Sequence, residues 1–297
     1  MLCCGILLVT NIGFSKNKGG EMTEKENFTL SVIIPAYNEE KRIGKTLDFI
    51  IDYLKKQSYD WEVLVVDDGS KDKTKEVVLQ KKKTNPKINY LSYGENRGKG
   101  YAIKFGVNKA KGDYILFADA DNATPFSEIE KLLPYKDEYD IVAGSRYLSK
   151  PTPVQSNYFK ALGRSLKELL VFLFTGKVPE TTIKKKQTWF RQLMSRGGNF
   201  LFVLVLGLAY ADTRCGFKLF KAKVAKDLFQ KITIERWGFD TEVLALARKK
   251  GYRAIEVPVE WYDIEGGVIN KNPTKEAIKS IKELFVIKWK MLTKKYR

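Results

Sequence analysis

The chain has 297 residues, enough to bury one sizeable core, and carries a formal net charge of +18 with no histidine. The missing histidine excludes His-ligated zinc and every His-based catalytic triad, so any acid–base work falls to carboxylates. Three cysteines, Cys3, Cys4 and Cys215, make no disulfide framework and fit a reducing, cytoplasmic setting.

Met1 to Phe14 is apolar, but it has no positive n-region and is too short to span a bilayer. Residues 1–29 are therefore expected to be a leader, disordered or untranslated, with Met22 as an alternative start. Ser31 to Ile34 reads as a short buried strand, broken by Pro35-Ala-Tyr-Asn-Glu-Glu40. Ile43, Leu47, Ile50 and Leu54 then fall on one helical face. A second strand, Trp61 to Val66, runs into Asp67-Asp68-Gly69-Ser70 and a Lys-rich helix through Val77 and Val78. Ile88 to Ser92 reads as a third strand, and Asn96-Arg-Gly-Lys-Gly100 opens a helix reaching Lys111.

The fourth strand, Tyr114 to Ala118, is a continuous apolar run closed by Asp119-Ala-Asp121. Two carboxylates one residue apart at a strand's carboxyl end can hold a Mg²⁺ or Mn²⁺ ion that keeps open positions for phosphate oxygens. Asp140 to Ala143 is a fifth strand, followed by Gly144-Ser-Arg146. Strands alternating with helices imply an α/β fold with a mostly parallel sheet covered on both faces. Ligands in such sheets bind beyond the carboxyl ends of the strands, where each of these motifs sits.

Charge is unevenly placed. Residues 22–150 carry 22 Lys and Arg against 21 Asp and Glu, whereas residues 151–297 carry 29 against 13, a net of +16. A cationic half points to a polyanionic surface. The basic runs Lys81-Lys-Lys83 and Lys184-Lys-Lys186 lack interleaved aromatics, and no nucleic-acid-binding signature appears, so nucleic acid is not expected as a partner. Leu166 to Val178 and the 14 residues Gly198 to Ala211 are apolar. Both fall short of the roughly 20 residues that a spanning helix needs, so they read as interfacial or buried. Near the end, Ile278, Ile281, Leu284, Phe285, Trp289 and Leu292 share a helical face, with Lys279, Lys282, Lys290 and Lys294 off it. Basic amphipathic stretches with Trp and Phe suit an anionic membrane surface.

The motif series, in this order and spacing, resembles inverting, nucleotide-sugar-dependent family 2 glycosyltransferases. The resemblance covers Leu30 to about Arg146 and resumes from Asp212 to Tyr262. Asp212-Thr-Arg-Cys-Gly-Phe-Lys-Leu-Phe220 and Glu235-Arg-Trp-Gly-Phe-Asp-Thr-Glu242 look most like the dolichyl-phosphate β-glucosyltransferase and polyprenyl-phosphate glycosyltransferase branch. The resemblance implies a GT-A (Rossmann-like) fold over residues 30–262; residues 150–211 depart from the branch, which is shorter there, and are expected to be an insertion carrying an acceptor loop and interfacial helices, while residues 263–297 read as a basic amphipathic helix. It also implies glucose transfer from UDP-glucose to a dolichyl or polyprenyl phosphate, by a protein peripheral to the cytoplasmic face of a membrane. GDP-mannose as donor, a glycan acceptor and a non-catalytic binding module remain the alternatives.

By the same resemblance, Pro35, Tyr37, Asn38, Glu39, Asp67 and Asp68 surround the nucleoside, and Ser70 caps a turn. Gly98 and Lys99 face the diphosphate, and Asp119 and Asp121 hold the metal. Arg146, Arg191, Ser195 and Arg214 are the candidates for the acceptor phosphate. Asp240 matches a carboxylate placed near the acceptor, as a general base for a hydroxyl or as an orienting group for a phosphate. A helix N-cap is its structural alternative.

Overall fold

The computed structural model describes residues 14–16, 22–24, 28–154, 158–175, 189–262, 273–293 and 295–296. Within the leader, Phe14–Lys16 (β1) and Met22–Glu24 (β2) pair antiparallel. The rest of residues 1–27 lies outside the described residues.

The main sheet grows from the runs of β-branched and aromatic residues. Thr29–Ala36 (β3) is followed by the helix Ile43–Leu54 (α1), which buries Ile43, Leu47, Ile50 and Leu54 as the spacing predicts. Asp60–Asp67 (β4), Thr74–Thr84 (α2), Ile88–Ser92 (β5) and Lys99–Lys109 (α3) come next. The helix α3 stops two residues short of the expected Lys111, because Ala110 turns extended. Tyr114–Ala118 (β6) leads through the short helix Ile129–Leu132 (α4) to Ile141–Ser145 (β7). Residues Thr152–Pro153 (β8) form a brief edge strand.

Two long helices follow, Tyr158–Thr175 (α5) and Trp189–Leu206 (α6), then Phe217–Lys221 (β9), Ala222–Lys231 (α7), Phe239–Lys249 (α8), Ala254–Pro258 (β10) and Pro273–Leu292 (α9). The eight strands stand in the order β5-β4-β3-β6-β9-β7-β10-β8. The contacts β3–β4, β4–β5, β3–β6 and β7–β10 are parallel, whereas β9 runs antiparallel between β6 and β7 and β8 runs antiparallel along β10. A mostly parallel sheet flanked by helices is therefore what forms, with one reversed strand at its centre. One apolar layer packs α1, α2 and α4 on the sheet, and the other packs α3, α6, α7, α8 and α9.

The C-terminal apolar segments divide between core and surface. Phe202, Val203, Leu206, Leu208 and Tyr210 of the run Gly198–Ala211 are buried and close the core, while Leu204 is exposed. In α9 the buried side is Leu284 and Ile287, while Ile278, Ile281, Phe285, Trp289 and Leu292 of the expected stripe stay exposed. In α5, Leu166, Leu170, Leu173 and Phe174 are exposed as well. Among the described residues no helix is long and apolar enough to cross a membrane.

Candidate active site

The loops after β3, β4, β6 and β7 gather at one edge of the sheet, as the alternation of strand and helix requires. After β3, Pro35 is the strand's penultimate residue, Tyr37 is exposed, and Asn38 takes a left-handed φ of 55°. Asn38 is locked to the β4 loop: its N–H donates to Ser70 Oγ at 2.9 Å, and its Oδ1 accepts from Lys71 N at 2.8 Å. The Glu39 N–H donates to Thr74 Oγ1 at 2.8 Å, and the Glu39 carboxylate takes both edges of Arg42 at 2.7 and 2.8 Å.

Asp67 and Asp68 are both buried, but they do different work. Asp67 accepts one bond on each oxygen, from Ser70 N at 2.9 Å and Tyr90 Oη at 2.5 Å. Asp68 is saturated by Tyr93 Oη at 2.6 Å, Arg97 N at 2.7 Å, Gly98 N at 2.9 Å and Asn96 Nδ2 at 3.0 Å. It builds the turn that opens α3. Gly98 is obligatory there: its φ is +112°, and a Cβ would lie 2.7 Å from the Glu235 carbonyl oxygen.

That turn aims Lys99 inward, where its ammonium pairs with Asp119 Oδ1. Burial pushes the Lys99 pKa down, but the carboxylates of Asp119, Asp240 and Asp121 outweigh it, and the net shift is upward. The Asp121 carboxyl is pushed up by burial and by the charge of Asp119, and its Oδ1 accepts from Ala123 N at 3.0 Å. Glu39 is likewise pushed up, chiefly by burial, with Asp121 and Asp119 adding to it against Arg42. Negative charge is thus concentrated around Lys99 at the carboxyl end of β6. Among the described residues no three His, Cys, Asp or Glu side chains form a ready-made ligand set. The donor chemistry fits a Mg²⁺ or Mn²⁺ held by two hard carboxylates, which takes its remaining oxygens from phosphate and water.

Across the site, Asp240 lies in the first turn of α8 and is 5% exposed. It does not act as a side-chain cap for that helix. Instead Lys218, 1% exposed on β9, donates to its Oδ1 at 2.8 Å and also to the Cys215 carbonyl oxygen. The motif reading passed over Lys218, although a lysine inside the apolar run Phe217–Phe220 signals a buried partner.

Arg146, expected to await the acceptor phosphate, is bound edge-on to Asp212, Nε to Oδ2 at 2.7 Å and Nη2 to Oδ1 at 2.9 Å. Burial disfavours both charges, yet their attraction wins, holding Asp212 below and Arg146 well above their ordinary values. Behind them Glu256 accepts from Ala211 N at 2.7 Å and Asp212 N at 2.8 Å, while burial pushes its carboxyl up to about 7.

Arg214 is different: it is exposed, and among the described residues its guanidinium has no hydrogen bond or ion pair. It lies 5.3 Å over the Phe202 ring. Although its side chain reaches solvent, packing of the surrounding chain strips water from part of it, which lowers its pKa against the pull of Asp240 and Glu283. Arg214 is thus near enough to Asp240 to feel its charge. Arg191 and Ser195 both lie on α6, one turn apart, and their side chains are outside the described residues. Trp237, also absent from the expectations, is half-exposed with Lys99 Nζ 5.5 Å from its ring.

Solved structures share this arrangement of sheet and helices. A mannosyltransferase of Pyrobaculum calidifontis, in complex with GDP-Man and Mn²⁺, superposes with a TM-score of 0.55 over 88% of this chain and 64% of its own, at 19% identity. The glucosyl-3-phosphoglycerate synthase of Mycobacterium tuberculosis, with Mn²⁺, UDP and phosphoglyceric acid, gives 0.55 over 88% and 78%, at 16% identity. The fold is that of GT-A glycosyltransferases. Residues 31–229 match the glycosyl transferase family 2 profile, and the chain belongs to that family.

Relatives in sequence are closer. A dolichyl-phosphate β-glucosyltransferase of Trichomonas vaginalis is 38% identical over 242 residues, covering 80% of this chain and 67% of its own. The human dolichyl-phosphate β-glucosyltransferase is 34% identical over 285 residues, 90% of this chain and 77% of its own. The yeast enzyme of that name is 33% identical over 284 residues, 93% and 79%.

Proposed function

We propose that the chain transfers glucose from UDP-glucose to dolichyl phosphate, with inversion, at the cytoplasmic face of a membrane. The observation that carries this reading is 34% identity to the human dolichyl-phosphate β-glucosyltransferase across 90% of the chain, with the carboxylates and cations described above inside the aligned span. The donor's uridine sits against Pro35 and Tyr37, and Asp67, which keeps acceptor capacity, receives a base N–H. Asp68 maintains the turn that presents Gly98 and Lys99 to the diphosphate. Asp119 and Asp121 would hold a divalent ion, Mg²⁺ or Mn²⁺, which would supply Lewis-acid neutralisation of the charge on the leaving UDP. Lys99 adds a fixed positive charge at the same point.

The acceptor explains why no histidine is needed. A phosphate monoester with a second pKa near 6 is largely dianionic at neutral pH and already nucleophilic. Arg214, exposed and without an ion-pair partner among the described residues, is its principal anchor, and Arg191 and Ser195, one helical turn apart on α6, are the further candidates. Arg146 holds the loop in place through Asp212. Asp240 is charge-balanced by Lys218, which suits an orienting role toward donor hydroxyls rather than proton abstraction.

The lipid end of the acceptor calls for a membrane. Two helices expose apolar side chains, Leu166, Leu170, Leu173 and Phe174 on α5 and Ile281, Phe285, Trp289 and Leu292 on α9, in the half of the chain with a net charge of +16. Such faces insert into an anionic interface.

Incubation with radiolabelled UDP-glucose or GDP-mannose, dolichyl phosphate and Mg²⁺ or Mn²⁺ tests the reading. An alkali-stable, acid-labile glucolipid formed from UDP-glucose supports it. Labelled lipid from GDP-mannose alone, or none from either donor, contradicts it.

A further inference from the structure

The reversed strand β9 touches both catalytic carboxylates. Its ladder with β6 pairs Ala118 with Phe217, so one step further Gly216 stands opposite Asp119. A Cβ built on Gly216 would lie 2.6 Å from Asp119 Oδ1 and closer still to Oδ2. Real Cβ atoms do not approach that closely, so the Asp119 carboxylate occupies the space that any other residue at position 216 would fill. The glycine is needed for this close approach, since its φ is not in the left-handed region. Two residues on, Lys218 reaches from the same strand to Asp240 Oδ1 at 2.8 Å. Residues two apart on a strand point to the same face. One short segment therefore meets Asp119 through a missing side chain and Asp240 through a long one.

We propose that Gly216 and Lys218 are a pair of positioning residues: Gly216 sets the carboxylate that binds the metal–diphosphate, and Lys218 sets and charge-balances Asp240. This deepens the proposed function and rests on its assignment of Asp119 to the metal. It also accounts for an antiparallel strand inserted between β6 and β7. A strand entering from the site edge brings its first residues, rather than its last, beside the carboxyl ends of β6 and β7.

The test uses the full chain and reads binding separately from turnover. Free Mn²⁺ is followed by electron paramagnetic resonance in the presence of UDP, and thermal melting is recorded in parallel. Gly216→Ala is expected to weaken Mn²⁺ binding at least tenfold. Gly163→Ala, whose added Cβ would meet nothing within 4 Å, should leave it unchanged. If Gly216→Ala lowers the melting temperature, Asp119→Ala in that background should restore it, because removing the carboxylate clears the space. Wild-type Mn²⁺ affinity in Gly216→Ala, or a melting loss that Asp119→Ala does not relieve, overturns the Gly216 role. Absence of UDP-dependent Mn²⁺ binding in the wild type would instead overturn the parent reading.

For Lys218, Lys218→Met should retain full UDP–Mn²⁺ stoichiometry while kcat per binding site falls at least tenfold, with little change in KM for UDP-glucose. Lys218→Gln, which keeps a donor without the charge, takes its place if the Met variant does not fold. Unchanged kcat per site in the folded variant overturns the Lys218 role.

Discussion

Arg146 and Asp212 meet edge to edge, with donor–acceptor distances of 2.7 and 2.9 Å, and a third bond of 3.1 Å runs from the Arg146 N–H to Asp212 Oδ2. Their side chains are 15% and 2% exposed, so the pair ties the end of β7 to the segment before β9 inside the protein. Breaking one side leaves a buried charge. Asp212→Asn should therefore cost about 3–5 kcal/mol of unfolding free energy, and Arg146→Met in the same chain should recover much of it. Urea denaturation of the two variants checks this. A loss under about 0.5 kcal/mol, the range of ordinary surface substitutions, would contradict a structural pair.

Glu256 makes stability depend on pH near neutrality. Its carboxyl titrates at about 7 in the fold against an ordinary 4.5, so between those values the native state binds the extra proton. Stability then falls as pH rises through that window, by roughly 3 kcal/mol at most, and is flat above it. Unfolding free energies at pH 5.5 and 8, compared between wild type and Glu256→Gln, measure the effect. The wild type should lose stability relative to the variant at the higher pH, and parallel behaviour would contradict the assignment.

Arg214 is predicted to matter for the acceptor and not for the donor. Losing charge-assisted hydrogen bonds of about 1.5–3 kcal/mol corresponds to roughly a ten- to hundredfold rise in KM for dolichyl phosphate in Arg214→Ala. The KM for UDP-glucose should stay within about twofold. An unchanged lipid KM would transfer the role elsewhere.

Much of this organisation could be read from the sequence, and the exceptions have physical causes. Continuous apolar runs gave β3 to β7 within a residue or two, because strands buried on both faces need them. Asp119 and Asp121 were legible because they close such a run. β9 was not. Gly216 just before it and Lys218 within it are a missing side chain and a charge, and neither reads as strand-forming until Asp119 and Asp240 are seen against them. Arg146 reads as an acceptor ligand because no local pattern links it to Asp212, which lies 66 residues away. The α9 stripe was read as a single face, whereas packing buries Leu284 and Ile287 and leaves Phe285 and Trp289 outside. Helical period reveals an apolar side but not which angle of it meets the core.

The exposed side of α9 leads to a further expectation. Phe285→Ser with Trp289→Ser removes two large apolar groups that are 58% and 52% exposed. Partitioning onto vesicles containing anionic phospholipid should drop by about tenfold or more. Raising the salt should weaken the wild type as well, since each nearby lysine contributes about 1 kcal/mol electrostatically. Co-sedimentation reads both effects, and wild-type binding by the double variant would remove α9 from the docking face.

The proposed function stands or falls with Asp119 and Asp121 holding the metal-bound diphosphate of the donor at the carboxyl edge of the sheet. Anomalous diffraction from crystals soaked with Mn²⁺ and UDP locates the ion directly. A single strong manganese peak is expected against Asp119, Asp121 and diphosphate oxygens, lost in Asp119→Asn with Asp121→Asn. Manganese bound at other residues, or a peak that survives neutralisation of both carboxylates, would contradict it.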